Sequence, residues 1–229
     1  QLAEYPQARG RYEEALGLFR AIGAKLGEAN CILRLGDVHV RLSELPQARG
    51  RYEEALGLYR AIGAKLGEAN CIQSLGDVHF QLAEYPQARG RYEEALGLFR
   101  AIGAKLGEAN CILRLGDVHV RLSELPQARG RYEEALGLYR AIGAKLGEAN
   151  CIQSLGDVHF QLAEYPQALG RYEEALPLCR AIGAKLGEAN CIRSLGDVHV
   201  QLAEYPQARG CYEEALGLYR AIGENLGEA

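Results

Sequence analysis

The chain has 229 residues, 48% hydrophobic and 24% charged, a composition that builds packed cores and excludes a disordered coil. A net charge of -4 without a basic stripe or tail speaks against nucleic acid as a partner. No apolar run reaches the length of a bilayer span, so a membrane partner is not expected either.

Methionine is absent and the opening QLAEYPQARG recurs at 81–90, so the chain is expected to be a fragment of a larger multidomain protein. The pairs Leu35-Gly36, Leu75-Gly76, Leu115-Gly116, Leu155-Gly156 and Leu195-Gly196 recur at a strict spacing of 40. A period of that length denotes a repeat array, in which each unit buries its apolar faces against its neighbours. One array is expected over 1–229. A truncated first unit at 1–27 carries only a second helix; five full units follow at 28–67, 68–107, 108–147, 148–187 and 188–227, and a further unit opens at 228–229. Residues 11–88 match 91–168 throughout, so the nearer unit of duplication is 80 residues. Leu169, Pro177, Cys179, Arg193 and Cys211 break the repetition irregularly, which favours a natural array over a designed one.

In chain order, each unit reads as two helices. In residues 28–43 the apolar set Ala29, Ile32, Leu35, Val38, His39 and Leu42 recurs at helical spacing, with Cys31 widening the stripe. This predicts helix A, preceded by a glycine such as Gly67, with an acidic residue such as Glu68 complementing the dipole of its first turn. After the link Ser43-Glu44-Leu45, Pro46 marks the start of helix B, because proline is tolerated at a first helical position and breaks an interior. Ala48, Tyr52, Ala55, Leu56, Tyr59 and Ile62 form its apolar stripe; Gly63 ends it, and Ala64-Lys65-Leu66-Gly67 is the connector. Gly50 and Gly57 inside helix B each cost up to about 1 kcal/mol relative to alanine. The pattern predicts an all-α chain of about eleven helices, the first near 6–22, arranged as antiparallel pairs in an α-solenoid.

Cys31, Cys71, Cys111, Cys151 and Cys191 occupy one equivalent position. Neighbouring equivalents in stacked helix pairs lie roughly 9 to 10 Å apart, beyond disulfide reach of about 7 Å, so buried reduced thiols and a cytoplasmic setting are expected. Cys179 and Cys211 replace other residue types and read as drift.

Ile32, Leu35-Gly36, His39, Ala48, Tyr52 and Ala55-Leu56 fall at the offsets of the tetratricopeptide pattern W-x2-L-G-x2-Y, A-x3-F. Over essentially the whole chain the sequence resembles the tetratricopeptide repeat family. Ile32 stands for the Trp and His39 for the Tyr; Arg60 stands for the terminal Pro, and the unit is 40 residues long rather than 34. That length is similar to the mitotic-spindle adaptors of the partner-of-Inscuteable type, to kinesin-light-chain-like arrays and to the sensor ends of NOD-like NTPases. The resemblance implies a right-handed superhelix with helix A lining a concave groove.

Once its buried positions are removed, helix A retains a second stripe. In the second unit it comprises Asn30, Leu33, Arg34, Asp37, Val40 and Arg41, and in the third Asn70, Gln73, Ser74, Asp77, Phe80 and Gln81. The equivalents are Asn110, Arg114, Asp117, Val120 and Arg121; Asn150, Gln153, Asp157, Phe160 and Gln161; and Asn190, Arg193, Asp197, Val200 and Gln201. The stripe varies between units while the buried one barely changes. It reads either as a solvated face or as the partner-binding groove that the resemblance implies. Arg34 and Arg41 fall at ion-pairing distance from Asp37 along one helix, whereas Asp77 and Asp157 have only Gln and Ser neighbours there. The latter two are expected to anchor a basic or amide-rich peptide.

Cys31 and His39 are eight residues apart, about 12 Å along a helix, too far to share a metal. No phosphate loop, metal box or triad interrupts the repetition, so no enzyme activity and no cofactor are expected. The expected function is a scaffold binding a peptide or helix of a partner protein. The alternative is a spacer or self-assembling rod that stacks end to end.

Overall fold

The computed structural model describes residues 4–227; the first three residues of the truncated unit and the opening of a further unit at 228–229 lie outside the described residues. Every element among the described residues is a helix: α1 (Glu4–Ala21), α2 (Lys25–Arg41), α3 (Leu45–Ala61), α4 (Lys65–Gln81), α5 (Tyr85–Ala101), α6 (Lys105–Arg121), α7 (Leu125–Ala141), α8 (Lys145–Gln161), α9 (Tyr165–Ala181), α10 (Lys185–Gln201) and α11 (Tyr205–Gly227). Even-numbered helices are A-type and odd-numbered ones B-type. The chain forms two compact units, Gln1–Val118 and His119–Ala229. In the first, α2 pairs with α3 and α4 with α5, α1 packs on α2 and α3 on α4, and α2 also touches α4. In the second, α8 pairs with α9 and α10 with α11, α7 packs on α8 and α9 on α10, and α10 touches α8. This is α-solenoid packing of consecutive antiparallel pairs.

Both links are three-residue turns with the same hydrogen bonds. At the end of α3 the Ala64 N–H donates to the Tyr59 carbonyl at 2.9 Å and the Gly63 N–H to the Arg60 carbonyl at 3.2 Å. This is a Schellman cap, which needs a left-handed residue; Gly63 supplies it at φ +70° without a Cβ penalty. The end of α2 closes the same way, Glu44 N–H to His39 carbonyl at 2.9 Å, but the left-handed residue there is Ser43 at φ 60°. Ala83, Ser123, Ala163 and Ala203 repeat this strained choice. Each stores on the order of 1 kcal/mol.

Helix B begins one residue before Pro46, Pro86, Pro126, Pro166 and Pro206, close to the expected place, but helix A departs from the sequence reading. It spans Lys25–Arg41 rather than 28–43, so Lys65-Leu66-Gly67 is first-turn helix and not connector. Gly67 is helical because the Tyr59 ring lies on it: a Cβ there would sit 2.3 Å from Tyr59 Cδ1. The Tyr52 ring covers Gly36 likewise, at 2.4 Å. Helices α3 and α5 thus each press one ring on the A helix before them and one on the A helix after them.

Ala29, Ile32 and Leu35 are fully buried, as are Ala48 and Ala55. Two expected core positions are not: Ile62 is 40% exposed and Leu42 half-buried, because both are C-cap residues at the surface turns. Helix α11 also departs from the pattern. It runs through Gly223 to Gly227, where Glu224-Asn225 replace the Ala-Lys that follows this glycine in the earlier units.

Candidate functional site

The acidic residues of the variable A-helix stripe are held by tyrosines from B helices. Tyr52 Oη donates to Asp37 Oδ1 at 2.9 Å, Tyr92 to Asp77 at 2.8 Å, Tyr172 to Asp157 at 2.7 Å and Tyr212 to Asp197 at 2.8 Å. These are the same rings that cover the Leu-Gly glycines. One buried aromatic therefore fills the core with its ring and fixes a groove carboxylate with its hydroxyl.

The expected ion pair between Arg34 and Asp37 is present at 3.0 Å, as is its equivalent Arg114 to Asp117 at 3.2 Å; in the last full repeat Arg193, which matches Leu33 rather than Arg34, pairs with Asp197 from four residues away at 2.7 Å. Arg41, also within reach by spacing, makes no ion pair with Asp37 and is exposed. The expectation that Asp77 and Asp157 lack partners is overturned. Asp77 accepts from Tyr92 and lies 3.4 Å from Arg114 Nε on α6, and Asp157 accepts from Tyr172. Those partners come from other helices, where spacing along one helix cannot reach. Burial pushes the Asp77 carboxyl above its ordinary pKa, against the pull of Arg114 and Tyr92.

The amide positions differ between repeats. Asn30 Oδ1 accepts from Tyr59 Oη at 2.6 Å and Asn190 from Tyr219 at 2.6 Å, and burial raises the Tyr59 hydroxyl to about 12. The residue that matches Tyr59 for Asn70 is Phe99 and for Asn150 is Cys179; both asparagines are exposed, and Asn110 is half-buried. Gln73 Oε1 accepts a weak bond from the Cys111 thiol at 3.8 Å, and Gln201 Oε1 one from Tyr165 at 3.4 Å. Gln153 is half-buried, while Gln81, Gln161 and Arg121 are exposed. Among the apolar members, Phe80 packs edge-on against Tyr85 with centroids 5.5 Å apart and Phe160 against Tyr165 at 5.7 Å. Val40 and Val120 are half-buried, and Val200 is 37% exposed.

In the first unit these side chains line a groove between α2 and α4, with one cavity toward each end. Near the helix starts a cavity of about 560 Å³ is lined by Leu26, Leu33 and Leu66 with Asn30, Asn70 and Tyr59. Near the helix ends a second of about 540 Å³ is lined by Asp37, Val40, Arg41, Asp77, Phe80 and Gln81, with Tyr52 and Ser74 at its floor and Arg114 from α6.

Two further motifs escaped the sequence reading. Glu28, one of the first-turn acids, is buried and clamped by Lys25 Nζ at 2.9 Å and Arg20 Nε at 3.0 Å. The same Arg20 bridges to Glu54 at 2.8 Å, and the arrangement recurs around Glu68, Glu148 and Glu188. It ties a B helix, the next A helix and the next B helix together. Glu54 is half-buried in this bridge. The hydrogen bonds from Lys25 and Arg20 hold the Glu28 carboxyl below its ordinary range. His39, expected to be packed, is also bonded through Nδ1 to Glu44 at 2.6 Å, as are its four equivalents to theirs. Among the described residues no group of three or more His, Cys, Asp or Glu is placed to hold a metal ion, and no helix is long and apolar enough to cross a membrane.

No curated protein matches the sequence. Among solved structures, BtubC (BKLC) from P. vanneervenii superposes with a TM-score of 0.79 at 19% identity, covering 97% of this chain and 91% of that one. The Rap conjugation gene regulator of plasmid pLS20, in complex with the Phr* peptide, superposes at 0.74 and 18% identity, over 89% of this chain and 56% of its own. A signal transduction ATPase with numerous domains from Pyrococcus horikoshii, which carries a tetratricopeptide repeat sensor, superposes at 0.72 and 18% identity, over 96% of this chain and 39% of its own. The chain thus spans just over half of the Rap protein and about two fifths of the ATPase. At these identities the likeness is one of fold. The family model of the tetratricopeptide repeat matches residues 68–141 and 148–221, and the chain belongs to the tetratricopeptide repeat family.

Proposed function

We propose that this chain is a protein-interaction scaffold whose groove between α2 and α4 takes an extended peptide segment of a partner protein, within a larger cytoplasmic protein. The observation that carries the reading is the groove itself. Exposed Leu26, Leu66, Arg41 and Gln81 line it, and Tyr52 and Tyr59 fasten its floor to the core. Rigidly held groups around an open cleft bind with little ordering cost. The Rap protein complexed with a peptide, similar in fold, supports the same reading. The remaining stripe residues, from Asn110 through Gln201, are assigned the same role, each within its own repeat. The test is isothermal calorimetry against a peptide library with wild type and Leu66→Ser. Loss of all hits in the variant with unchanged helical content is expected, and unchanged affinities would sink the groove assignment.

A second reading is association between copies. It is favoured by an apolar cavity of about 370 Å³ on α11 with Val200, Tyr205, Tyr212 and Leu216, where Tyr205 is 64% exposed. Light scattering over a concentration series checks it, and a constant monomer mass at high concentration removes it.

A further inference from the structure

The groove between α2 and α4 is chemically polar along its length, and this restricts which peptide it accepts. The end near the helix starts is aliphatic: Leu26 and Leu66 stand 54% and 55% exposed above Leu33. The end near the helix finishes is charged, but its carboxylates are already engaged. Asp37 is held by Arg34 at 3.0 Å and by Tyr52 at 2.9 Å, and Asp77 by Tyr92 at 2.8 Å with Arg114 at 3.4 Å. Among the described residues lining this end, the charged group without an ion pair is Arg41, exposed beside the apolar walls of Val40 and Phe80 and the Gln81 amide. A lysine-rich ligand would meet two carboxylates that already have their donors and one open guanidinium. An acidic ligand meets an unneutralised cation able to bind a carboxylate in two-pronged fashion.

The geometry points to an acidic, aliphatic-anchored peptide as the ligand: a bulky apolar side chain seated between Leu26 and Leu66, and a carboxylate about seven residues away on Arg41. The spacing follows from the helix. Leu26 to Arg41 spans fifteen residues, about 22 Å of helical rise, which an extended peptide covers in about seven residues. This rests on the peptide-binding reading above and adds the charge, the anchor and the spacing between them.

The test uses the whole chain and fluorescein-labelled, C-terminally amidated octapeptides in fluorescence anisotropy. One carries leucine first and two glutamates last with Ser-Gly between; a second has lysines for the glutamates; a third has serine for the leucine. At about 50 mM salt the acidic peptide is expected to bind on the order of tenfold tighter than the lysine peptide, with the gap shrinking as salt rises. Arg41→Glu, at an exposed site, is expected to invert that preference, and Leu66→Ser to weaken acidic and lysine peptides alike. A lysine peptide that binds as tightly as the acidic one, or an acidic peptide indifferent to Arg41→Glu, overturns this inference; if Leu66→Ser still weakens binding, the groove reading survives. No binding by any of the three overturns both.

Discussion

The packing of aromatic rings on helix glycines makes one substitution act oppositely in two nearly identical repeats. Gly147 lies under Tyr139, where an added Cβ would meet Cδ1 at 2.3 Å, whereas at Gly187 the nearest atom to the same Cβ is Cys179 Sγ at 3.0 Å and the next are in ordinary contact at 3.8 Å. Alanine at either site gains up to about 1 kcal/mol of helix propensity. At Gly147 the Cβ must displace a buried ring by more than about 1 Å to reach ordinary contact, an overpacking cost of about 1–3 kcal/mol. At Gly187 a rotation of one small thiol relieves the contact. Gly147→Ala is therefore expected to destabilise by about 1–2 kcal/mol and Gly187→Ala to stabilise by about 0.5 kcal/mol. Urea unfolding followed by far-UV circular dichroism reads both, as midpoints with a check that the slope is unchanged. The double variant Cys179→Tyr with Gly187→Ala is the internal control, because the ring restores the obstacle and reverses the gain. Equal shifts of one sign for the two single variants would refute the argument.

Other perturbations follow from the same contacts. Gly57→Ala, with nothing within 4 Å of the new Cβ, is expected to stabilise by up to about 1 kcal/mol, read as a raised thermal midpoint. Ala83→Gly relieves the left-handed strain at φ 58° and should gain a few tenths to about 1 kcal/mol despite glycine's added freedom in the unfolded chain, again by urea midpoint. Pro177 lies inside α9, where it removes a backbone donor; Pro177→Ala is expected to stabilise by about 2–3 kcal/mol and to increase amide protection of that turn in hydrogen exchange. The clamped glutamates set the acid limb. Hydrogen bonds from Lys25 and Arg20 lower the Glu28 carboxyl, and those from the equivalent cations lower Glu68, Glu108, Glu148 and Glu188 below the ordinary 4.5. A lowered carboxyl contributes stability above the unfolded pKa and loses it as pH falls through the folded one. Thermal midpoints should therefore drop below about pH 4.5, and Glu148→Gln should flatten that limb.

What was legible in the sequence is what depends on neighbours along one helix. The apolar period placed the buried faces, Pro46 and its equivalents located the B-helix starts, and Gly63 marked an end. The Arg34 to Asp37 pair was also readable, being three residues apart. Features that depend on residues from another helix were not. Gly67 looked like a connector residue, and only the Tyr59 ring explains why it is helical. Ser43 carries no signal for its left-handed turn, which the Schellman hydrogen bonds impose. Asp77 seemed unpartnered because Tyr92 and Arg114 lie on other helices, and the basic ligand first expected for it was inferred from that apparent vacancy.

The same dependence explains how near-identical repeats can present different surfaces. Where the slot over the first-turn glycine of helix A holds a tyrosine, as at Tyr59, its hydroxyl occupies the amide oxygen of Asn30, and Tyr219, at the matching position of α11, does the same to Asn190. Where the slot holds Phe99 or Cys179, there is no phenol hydroxyl to reach Asn70 or Asn150, and those amides face the solvent side of their helices with both donor and acceptor open. A change of one buried side chain, made with little effect on the ring packing in the case of phenylalanine, thus alters the hydrogen-bonding capacity of the groove one layer above it. Tyr59→Phe should free the Asn30 amide and strengthen binding of peptides with polar side chains near the aliphatic end, at a cost of about 1 kcal/mol in stability for the lost hydrogen bond. Calorimetry on the wild type and this variant separates the two effects. A stability loss without any change in peptide affinity would mean that Asn30 does not contribute to the groove.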